Sequence, residues 1–165
     1  MIDNLITLLQ RFNIISPDLT HSKLFDDDTF YKQFVADLKH CKKEVIIESP
    51  YITHQRMSTL KRHFASLVAR KVKVYVITRN PYDHDLSMRQ QADVEIRNFE
   101  MMGVQVLINT NYNHRKVAIL DRKILWEGSL NILSQTYSKE LMRRISSKAL
   151  ANNMFRFLKL EKYIY

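Results

Sequence analysis

Positions 114 and 116 pair a histidine with a lysine, a combination suited to chemistry on an anionic substrate. A histidine can act as a nucleophile or general acid, and a neighbouring ammonium group attracts negative charge. Side chains two residues apart lie on the same face of a strand. His114 and Lys116 are therefore predicted to share one face of a strand, with Cα atoms about 6.6–6.8 Å apart. Downstream, Gly128 and Ser129 permit close approach of a ligand, and Asn131 adds an amide donor.

The residues between these positions predict a hairpin that holds them rigidly. Val117–Leu120 is a continuous apolar run of the kind found in buried strands. Asp121–Lys123 is short and polar, as expected of a turn, and Ile124–Trp126 resumes the strand pattern. Trp126 is predicted to lie in the core rather than to stack on a base.

Written as residue types, residues 114–131 read H-x-K-x4-D-x6-G-S-x-N. The spacing resembles the HKD signature of the phospholipase D superfamily at all six specified positions of this 18-residue stretch. The short chain looks most like bacterial nucleases that carry one such motif, and like PLD-like domains attached to helicases and restriction enzymes. The alternation of strands and helices over residues 44–147 fits the same family, whereas residues 1–25 carry no resemblance.

The resemblance implies phosphodiester cleavage by two histidines, one attacking phosphorus and one protonating the leaving group. Because the chain has one true motif, it implies a homodimer whose shared site contains His114 and Lys116 of both subunits. Lys116, Asn131 and Ser129 would bind phosphoryl oxygens, and Glu140 would orient the His114 ring. Asp121 belongs to the motif but has the opposite strand parity, so we expect it to support the turn. The family's mechanism requires no metal or other cofactor.

A second match to H-x-K-x4-D occurs at residues 21–28, and we interpret it as a chance match. Its spacer contains Asp26 and Asp27 where the true motif has apolar residues, and no G-S-x-N follows. Asp28-Thr29 instead indicates the cap of a helix. His54, His63 and His84 are predicted to face solvent, although His54 follows a strand end, where α/β sites often lie. Tyr51 and Thr53 share that location and are candidates to line a cleft.

Positive charge is concentrated in two blocks of this chain, whose net charge is +9. Residues 49–82 hold 7 basic and no acidic residues, and residues 122–165 hold 9 basic and 3 acidic residues. Such blocks suit a polyanion such as nucleic acid, although a solvated basic surface would look the same. The candidate phosphate-backbone contacts are Arg56, Lys61, Arg62, Arg143 and Arg144.

Length and pattern predict one PLD-like domain over residues 1–165, with residues 1–25 as an extension. We expect an α/β fold with a mixed or mostly parallel central sheet and helices on both faces. Predicted helices cover residues 2–12, 55–70, 85–102 and 150–160, and predicted strands cover 44–48, 72–78, 104–108 and 140–145. The lone Cys41 excludes an internal disulfide. Without a basic start or a run of about 20 apolar residues, the chain is predicted to be cytoplasmic, with no membrane insertion.

The sequence alone leaves three hypotheses about function open. The first is a metal-independent endonuclease that cleaves DNA, favoured by the basic blocks and the small size. The second is a phospholipase or phosphatidyltransferase, whose family members usually carry two motifs or membrane segments. The third is a PLD-like domain of a helicase or restriction system that needs a partner.

Overall fold

In the computed structural model, which describes residues 20–134 and 137–164, strands and helices alternate along most of the chain. The helix predicted over residues 2–12 lies outside the described residues. The strands are Ser22–Asp26 (β1), Glu44–Glu48 (β2), Lys73–Arg79 (β3), Gln105–Asn109 (β4), Val117–Leu120 (β5), Ile124–Gly128 (β6) and Leu141–Ser146 (β7). The α-helices are Asp27–His40 (α1), His54–Ala69 (α2), Leu86–Met101 (α3) and Lys148–Phe157 (α4), with short 3₁₀ turns at Pro81–Asp83 and Leu160–Lys162.

The strands form one mixed sheet in the order β1-β7-β6-β5-β2-β3-β4. The pairs β2–β3 and β3–β4 are parallel. The other four neighbouring pairs, β2–β5, β5–β6, β6–β7 and β7–β1, are antiparallel. The prediction of a mixed α/β sheet is therefore confirmed. The edge strand β1 was not predicted, because Lys23 and Leu24 are both exposed and the strand contains no buried apolar run.

Helices cover both faces of the sheet, because neighbouring strand residues point to opposite sides. Val45 and Ile47 of β2 join one core, which also contains Phe34 of α1, Phe64 of α2 and Phe99 of α3. Ile46 of the same strand joins the second core, which α4 covers with Ala151 and Phe155. This arrangement is the predicted layering with helices on both sides.

Capping residues explain where the helices begin, and one prediction needs correction. Asp26, rather than Asp28, is the N-cap of α1, because its carboxylate accepts the Thr29 N–H at 3.0 Å while the Thr29 hydroxyl accepts the Asp26 N–H. Asp85 caps α3, and Gly103 follows this helix with a φ of +91°, as predicted for a residue after a helix end. Within the described residues, no helix combines the length and apolar character needed to cross a membrane.

Candidate active site

The motif residues meet at one edge of the sheet because three strand ends lie together there. Glu48, the last residue of β2, pairs with Val117, the first of β5, and Val117 pairs with Glu127 near the end of β6. The segment before β5 and the segment after β6 therefore lie side by side. His114 and Lys116 were predicted on a strand, but both precede β5, which begins at Val117.

An ion pair fixes the segment that carries the histidine. The Arg115 guanidinium donates to Oε1 of Glu48 from Nε at 3.1 Å and from Nη2 at 2.9 Å. Glu48 is only 3% exposed, and burial raises the pKa of its carboxyl although Arg115 opposes that shift. Because Arg115 lies between the two candidate catalytic residues, its contact with Glu48 positions both.

Lys116 folds back onto His114. Its Nζ lies 2.5 Å from the imidazole Nδ1 and donates to the His114 carbonyl oxygen at 2.7 Å. Lys116 is 8% exposed, and burial lowers the pKa of its ammonium group, while the charge of Glu140 acts in the opposite direction. Desolvation also lowers the pKa of His114, helped by the positive charges of Lys116 and Arg79. The site therefore favours a neutral imidazole beside a cation.

Glu140 lies close enough to Lys116 to act on its charge, and its Oε1 accepts a hydrogen bond from the Ser138 hydroxyl at 3.2 Å. Nδ1 of His114 faces Lys116, and no hydrogen bond joins Glu140 to the His114 ring among the described residues. The orienting role of Glu140 stays a prediction.

The Gly128-Ser129 step brings the Asn131 loop against β7. A Cβ on Gly128 would lie 2.2 Å from the Leu141 carbonyl oxygen, so glycine is required by close backbone approach. The Ser129 hydroxyl accepts the Leu141 N–H at 3.2 Å, so it is engaged in holding this junction. Oδ1 of Asn131 is buried and has no hydrogen-bond partner among the described residues.

Asp121 lies at the far end of β5 from His114. Its carboxylate accepts the backbone N–H groups of Lys42, Lys43 and Glu44 at 2.9, 2.8 and 3.0 Å. Asp121 and Arg122 have φ values of +51°, which form the tight turn that the sequence predicted. Asp121 therefore ties the β5–β6 hairpin to the start of β2.

Aromatic contacts connect a second histidine to the site. The Tyr51 ring stands edge-to-face with the His114 ring at 5.8 Å between centroids, and its centroid lies 4.9 Å from that of His84. His84 was predicted to face solvent, but its Nε2 is buried without a partner among the described residues. Burial, followed by the charge of Arg79, lowers the pKa of His84. The sequence predicts the turn at residues 80–83, but sequence reasoning missed this contact because it joins His84 to a residue far away in the chain.

A histidine–carboxylate pair ties α2 to α3 near the same edge. Nδ1 of His54 lies 2.8 Å from Oε1 of Glu95, with the His54 side chain 77% exposed and that of Glu95 3% exposed. His54 faces solvent as expected, yet Glu95 was not singled out. A glutamate in the middle of an amphipathic helix gives no sign in the sequence that it will be buried.

The basic candidates divide into two groups. Arg56 and Arg62 line a cleft of about 380 Å³ between α1 and α2, together with Lys32, Lys39 and His63. Desolvation lowers the pKa of His63, and the charges of Arg62 and Lys39 add to this shift, which indicates a positive local potential. Lys61 is exposed on the same helix.

The candidates on β7 have partners in the fold. Arg143 donates to the Ser22 hydroxyl at 2.9 Å. Arg144 donates to both carboxylate oxygens of Asp37, at 2.8 and 3.0 Å, and the same carboxylate accepts the indole N–H of the fully buried Trp126 at 2.9 Å. Because this guanidinium is already engaged, Arg144 leaves the set of candidate phosphate contacts. Trp126 is a core residue, as predicted.

The model of the family described as "Cardiolipin synthase, PLD-like domain" matches residues 34–159. A search of curated proteins found no match by sequence.

Solved structures show a similar fold. Nuc from Salmonella typhimurium, a phospholipase D family member, has a TM-score of 0.70 at 14% identity, covering 84% of this chain and 91% of that one. NucT from Helicobacter pylori has a TM-score of 0.66 at 18% identity, covering 84% and 92%. The phosphatidylserine synthase of Haemophilus influenzae has a TM-score of 0.66 at 14% identity, covering 86% of this chain and 38% of that one. At these identities the likeness concerns the fold alone.

Proposed function

The chain belongs to the PLD-like domain family, and from this premise we propose that it is a phosphodiesterase that cleaves nucleic acid, as an endonuclease acting on DNA without a metal ion. Family membership itself supports phosphodiesterase-type chemistry, as a hydrolase or a transferase. The observation that carries the proposal is the buried Lys116 ammonium beside His114. A histidine kept neutral next to a cation is a nucleophile positioned for an anionic phosphorus centre.

The proposed reaction has two displacement steps. A neutral His114 nitrogen attacks phosphorus and forms a P–N bond, while the bond to the leaving oxygen breaks and that oxygen takes a proton from a second histidine. Water then attacks phosphorus, gives up a proton to that second histidine, and releases His114 with a phosphate monoester as product. Lys116 and Asn131 stabilise the negative charge on the phosphoryl oxygens in both steps.

We propose that the second histidine is His114 of another copy of the chain. A two-fold axis close to the sheet edge would place two identical His-Lys pairs on one phosphorus. Two imidazoles in one site would titrate as a coupled pair, so that one is neutral and the other protonated over a range of pH. That is the combination of nucleophile and acid that the reaction needs.

Nucleic acid is the proposed substrate because of the basic cleft between α1 and α2. The cleft starts beside the active-site loop, since the Tyr31 hydroxyl donates to the Ile132 carbonyl oxygen at 3.0 Å and Arg56 stacks on the Tyr31 ring at 3.7 Å. It continues to Lys39 and Arg62. A phosphate backbone that leaves the active site along this cleft would meet successive cations.

Two alternatives stay testable. The family description and the fold of the phosphatidylserine synthase favour a phospholipase or phosphatidyltransferase. A PLD-like domain that works only with a helicase or restriction partner would have the same site.

The direct test is nicking of supercoiled plasmid in excess EDTA. We expect cleavage by the wild-type protein and by His40→Ala, an exposed control on α1, and no cleavage by His114→Ala. Cleavage by His114→Ala would contradict the assignment. A folded wild-type dimer that leaves plasmid intact but hydrolyses phosphatidylglycerol would favour the lipid alternative.

Subunit mixing tests the shared site. If wild-type and His114→Ala chains are unfolded together and refolded, a site that needs both copies makes activity fall as the square of the wild-type fraction. A site complete within one chain makes it fall in direct proportion. The proportional result would overturn the homodimeric site and leave the phosphodiesterase proposal intact.

Salt dependence tests the polyanion. The logarithm of the association constant for duplex DNA should fall with the logarithm of salt concentration, with a slope of about −0.9 per phosphate contacted. Replacing Arg62 by glutamine should reduce that slope by about one contact. An unchanged slope would remove the basic cleft from the proposed path.

A further inference from the structure

A second cleft opens beside the candidate active site, between the start of α2, the start of α3 and the Asn131 loop. Its volume is about 420 Å³, within the range of about 300–1,000 Å³ typical of small-molecule sites. Tyr51 and Met88 provide its apolar surface. Its polar lining consists of Thr53, Gln55, Gln91, Asn131 and Ser134.

The polar groups in this lining are amides and hydroxyls, without an ionised side chain among them. Such a surface is poorly matched to a phosphate, which needs cations, but well matched to the edge of a nucleobase. Asparagine and glutamine amides pair with donor and acceptor groups on bases, and an aromatic ring offers a stacking surface.

Gln91 is held in a defined orientation. Its Oε1 accepts the His54 backbone N–H at 3.3 Å, and within the described part of the chain its Nε2 group donates no hydrogen bond. The pair of His54 and buried Glu95 fixes the two helices on which Gln55 and Gln91 lie. Thr53 caps α2 by accepting the Arg56 N–H, which leaves its own O–H as a donor. The cleft thus presents preoriented donors.

Tyr51 connects this cleft to the reacting centre. Its ring lines the cleft and also contacts His114 at 5.8 Å between centroids. Asn131 likewise belongs both to the motif and to the cleft lining. A diester whose phosphorus lies at His114 would therefore extend one of its two substituents toward the cleft.

We propose that this cleft is a nucleobase subsite, which holds the base next to the scissile phosphate by hydrogen bonds from Gln55 and Gln91 and by packing on Tyr51. The inference rests on the proposed function, because it presupposes a diester at His114. It deepens that function by predicting that the substrate strand is unpaired at the cut, since a base in this cleft has left its stack.

The test uses substrates with one phosphodiester each, assayed in EDTA. They are thymidylyl-thymidine, its two derivatives lacking either base, and bis(p-nitrophenyl) phosphate, which has no base. We expect wild-type kcat/KM to fall at least about fivefold when the base in the subsite is removed, the lower end for loss of a base–aromatic stack. Equal kcat/KM for the dinucleotide and both abasic derivatives would overturn the subsite.

Two adjacent glutamines on α3 provide a matched pair of variants. Gln91→Leu should lower kcat/KM for the dinucleotide part of the way to the abasic value, because Gln55 and the Tyr51 ring still hold the base, while bis(p-nitrophenyl) phosphate is hydrolysed at the wild-type rate. Gln90→Leu, on the exposed face of the same helix, should change neither substrate. If Gln91→Leu melts below the assay temperature, Gln55→Leu on the exposed start of α2 serves instead.

The outcomes separate the two proposals. If the protein hydrolyses bis(p-nitrophenyl) phosphate but has equal kcat/KM for the dinucleotide and its abasic derivatives, the phosphodiesterase proposal stands and the nucleobase subsite is rejected. Faster hydrolysis of glycerophosphocholine than of the dinucleotide would reject the subsite in favour of a lipid head group. Failure of the wild-type protein to hydrolyse any diester would overturn both.

Discussion

Replacing Asp121 should destabilise the fold without removing the chemistry, although Asp121 is the third signature residue of the motif. Its two carboxylate oxygens accept three backbone N–H groups at 2.8–3.0 Å. A net contribution of about 0.5–1.5 kcal/mol per bond gives about 1.5–4.5 kcal/mol for the three. Alanine at a φ of +51° adds about 1 kcal/mol. We therefore expect Asp121→Ala to lower the free energy of unfolding by about 2.5–5.5 kcal/mol.

Asparagine at the same position should cost less. It tolerates the left-handed backbone and keeps one carbonyl oxygen, so Asp121→Asn should lose about 1–2 kcal/mol. Urea unfolding followed by the fluorescence of the lone Trp126 measures both variants. Asp93→Ala is the control, since its contact with Arg89 is a half-exposed pair on α3 and should be worth no more than about 0.5 kcal/mol.

Activity decides between support and catalysis. At a temperature where Asp121→Asn stays folded, kcat/KM for bis(p-nitrophenyl) phosphate should remain within about threefold of wild type. A fall of more than about 100-fold, with the free energy of unfolding unchanged, would refute the structural role and place Asp121 in the reaction.

The other predictions concern the charge at the site, the core and the hairpin junction. Lys116→Gln removes a positive charge beside His114, so an NMR titration should show the pKa of His114 rising towards its ordinary value. Because the neutral imidazole is the nucleophile, the acid limb of the pH profile of kcat/KM should move to higher pH. Asp37→Ala leaves the buried Trp126 indole N–H and the partly buried Arg144 guanidinium without their carboxylate partner, so urea unfolding should show a loss of about 3–5 kcal/mol. Gly128→Ala places a Cβ 2.2 Å from a carbonyl oxygen, so we expect both a lower thermal midpoint and weaker phosphate binding by calorimetry. Inorganic phosphate should draw Lys116 away and move the proton of neutral His114 from Nε2 to Nδ1, which ¹⁵N NMR resolves. An unchanged tautomer would show that phosphate binding does not activate the histidine.

Local patterns predicted the parts of the fold that depend on burial and turns. The strand Glu44–Glu48 agrees with its predicted bounds, because a short apolar run between two glutamates marks where the strand begins and ends. The strand Val117–Leu120 and the turn after it are likewise as expected. The edge strand Ser22–Asp26 was missed, since its order comes from pairing with residues 141–145 far along the chain. The residues of β1 alone do not indicate that it will pair with β7.

The candidate site divides in the same way. The spacing of His114, Lys116 and Asn131 carried the prediction of where the site lies. Tyr51 was predicted only as a candidate to line a cleft, and His84 and Glu95 were assigned no role. The contacts of all three span 30 or more residues, which no spacing rule encodes. Arg144 is not a free surface cation, because its guanidinium forms an ion pair with Asp37 of α1.

The contact between Lys116 and His114 determines which nitrogen of the neutral imidazole carries the proton. An ammonium group 2.5 Å from Nδ1 requires a lone pair there, so the neutral ring carries its proton on Nε2 and that nitrogen cannot attack. A phosphate would draw the ammonium away, since two opposite charges attract more strongly than an ammonium and a neutral ring. Nδ1 would then be free to carry the proton and to donate a hydrogen bond to a carboxylate, and Glu140, whose charge acts on Lys116, is the candidate for that carboxylate. Substrate binding would thus create the nucleophilic tautomer, and the lysine would couple recognition of the phosphate to activation of the histidine.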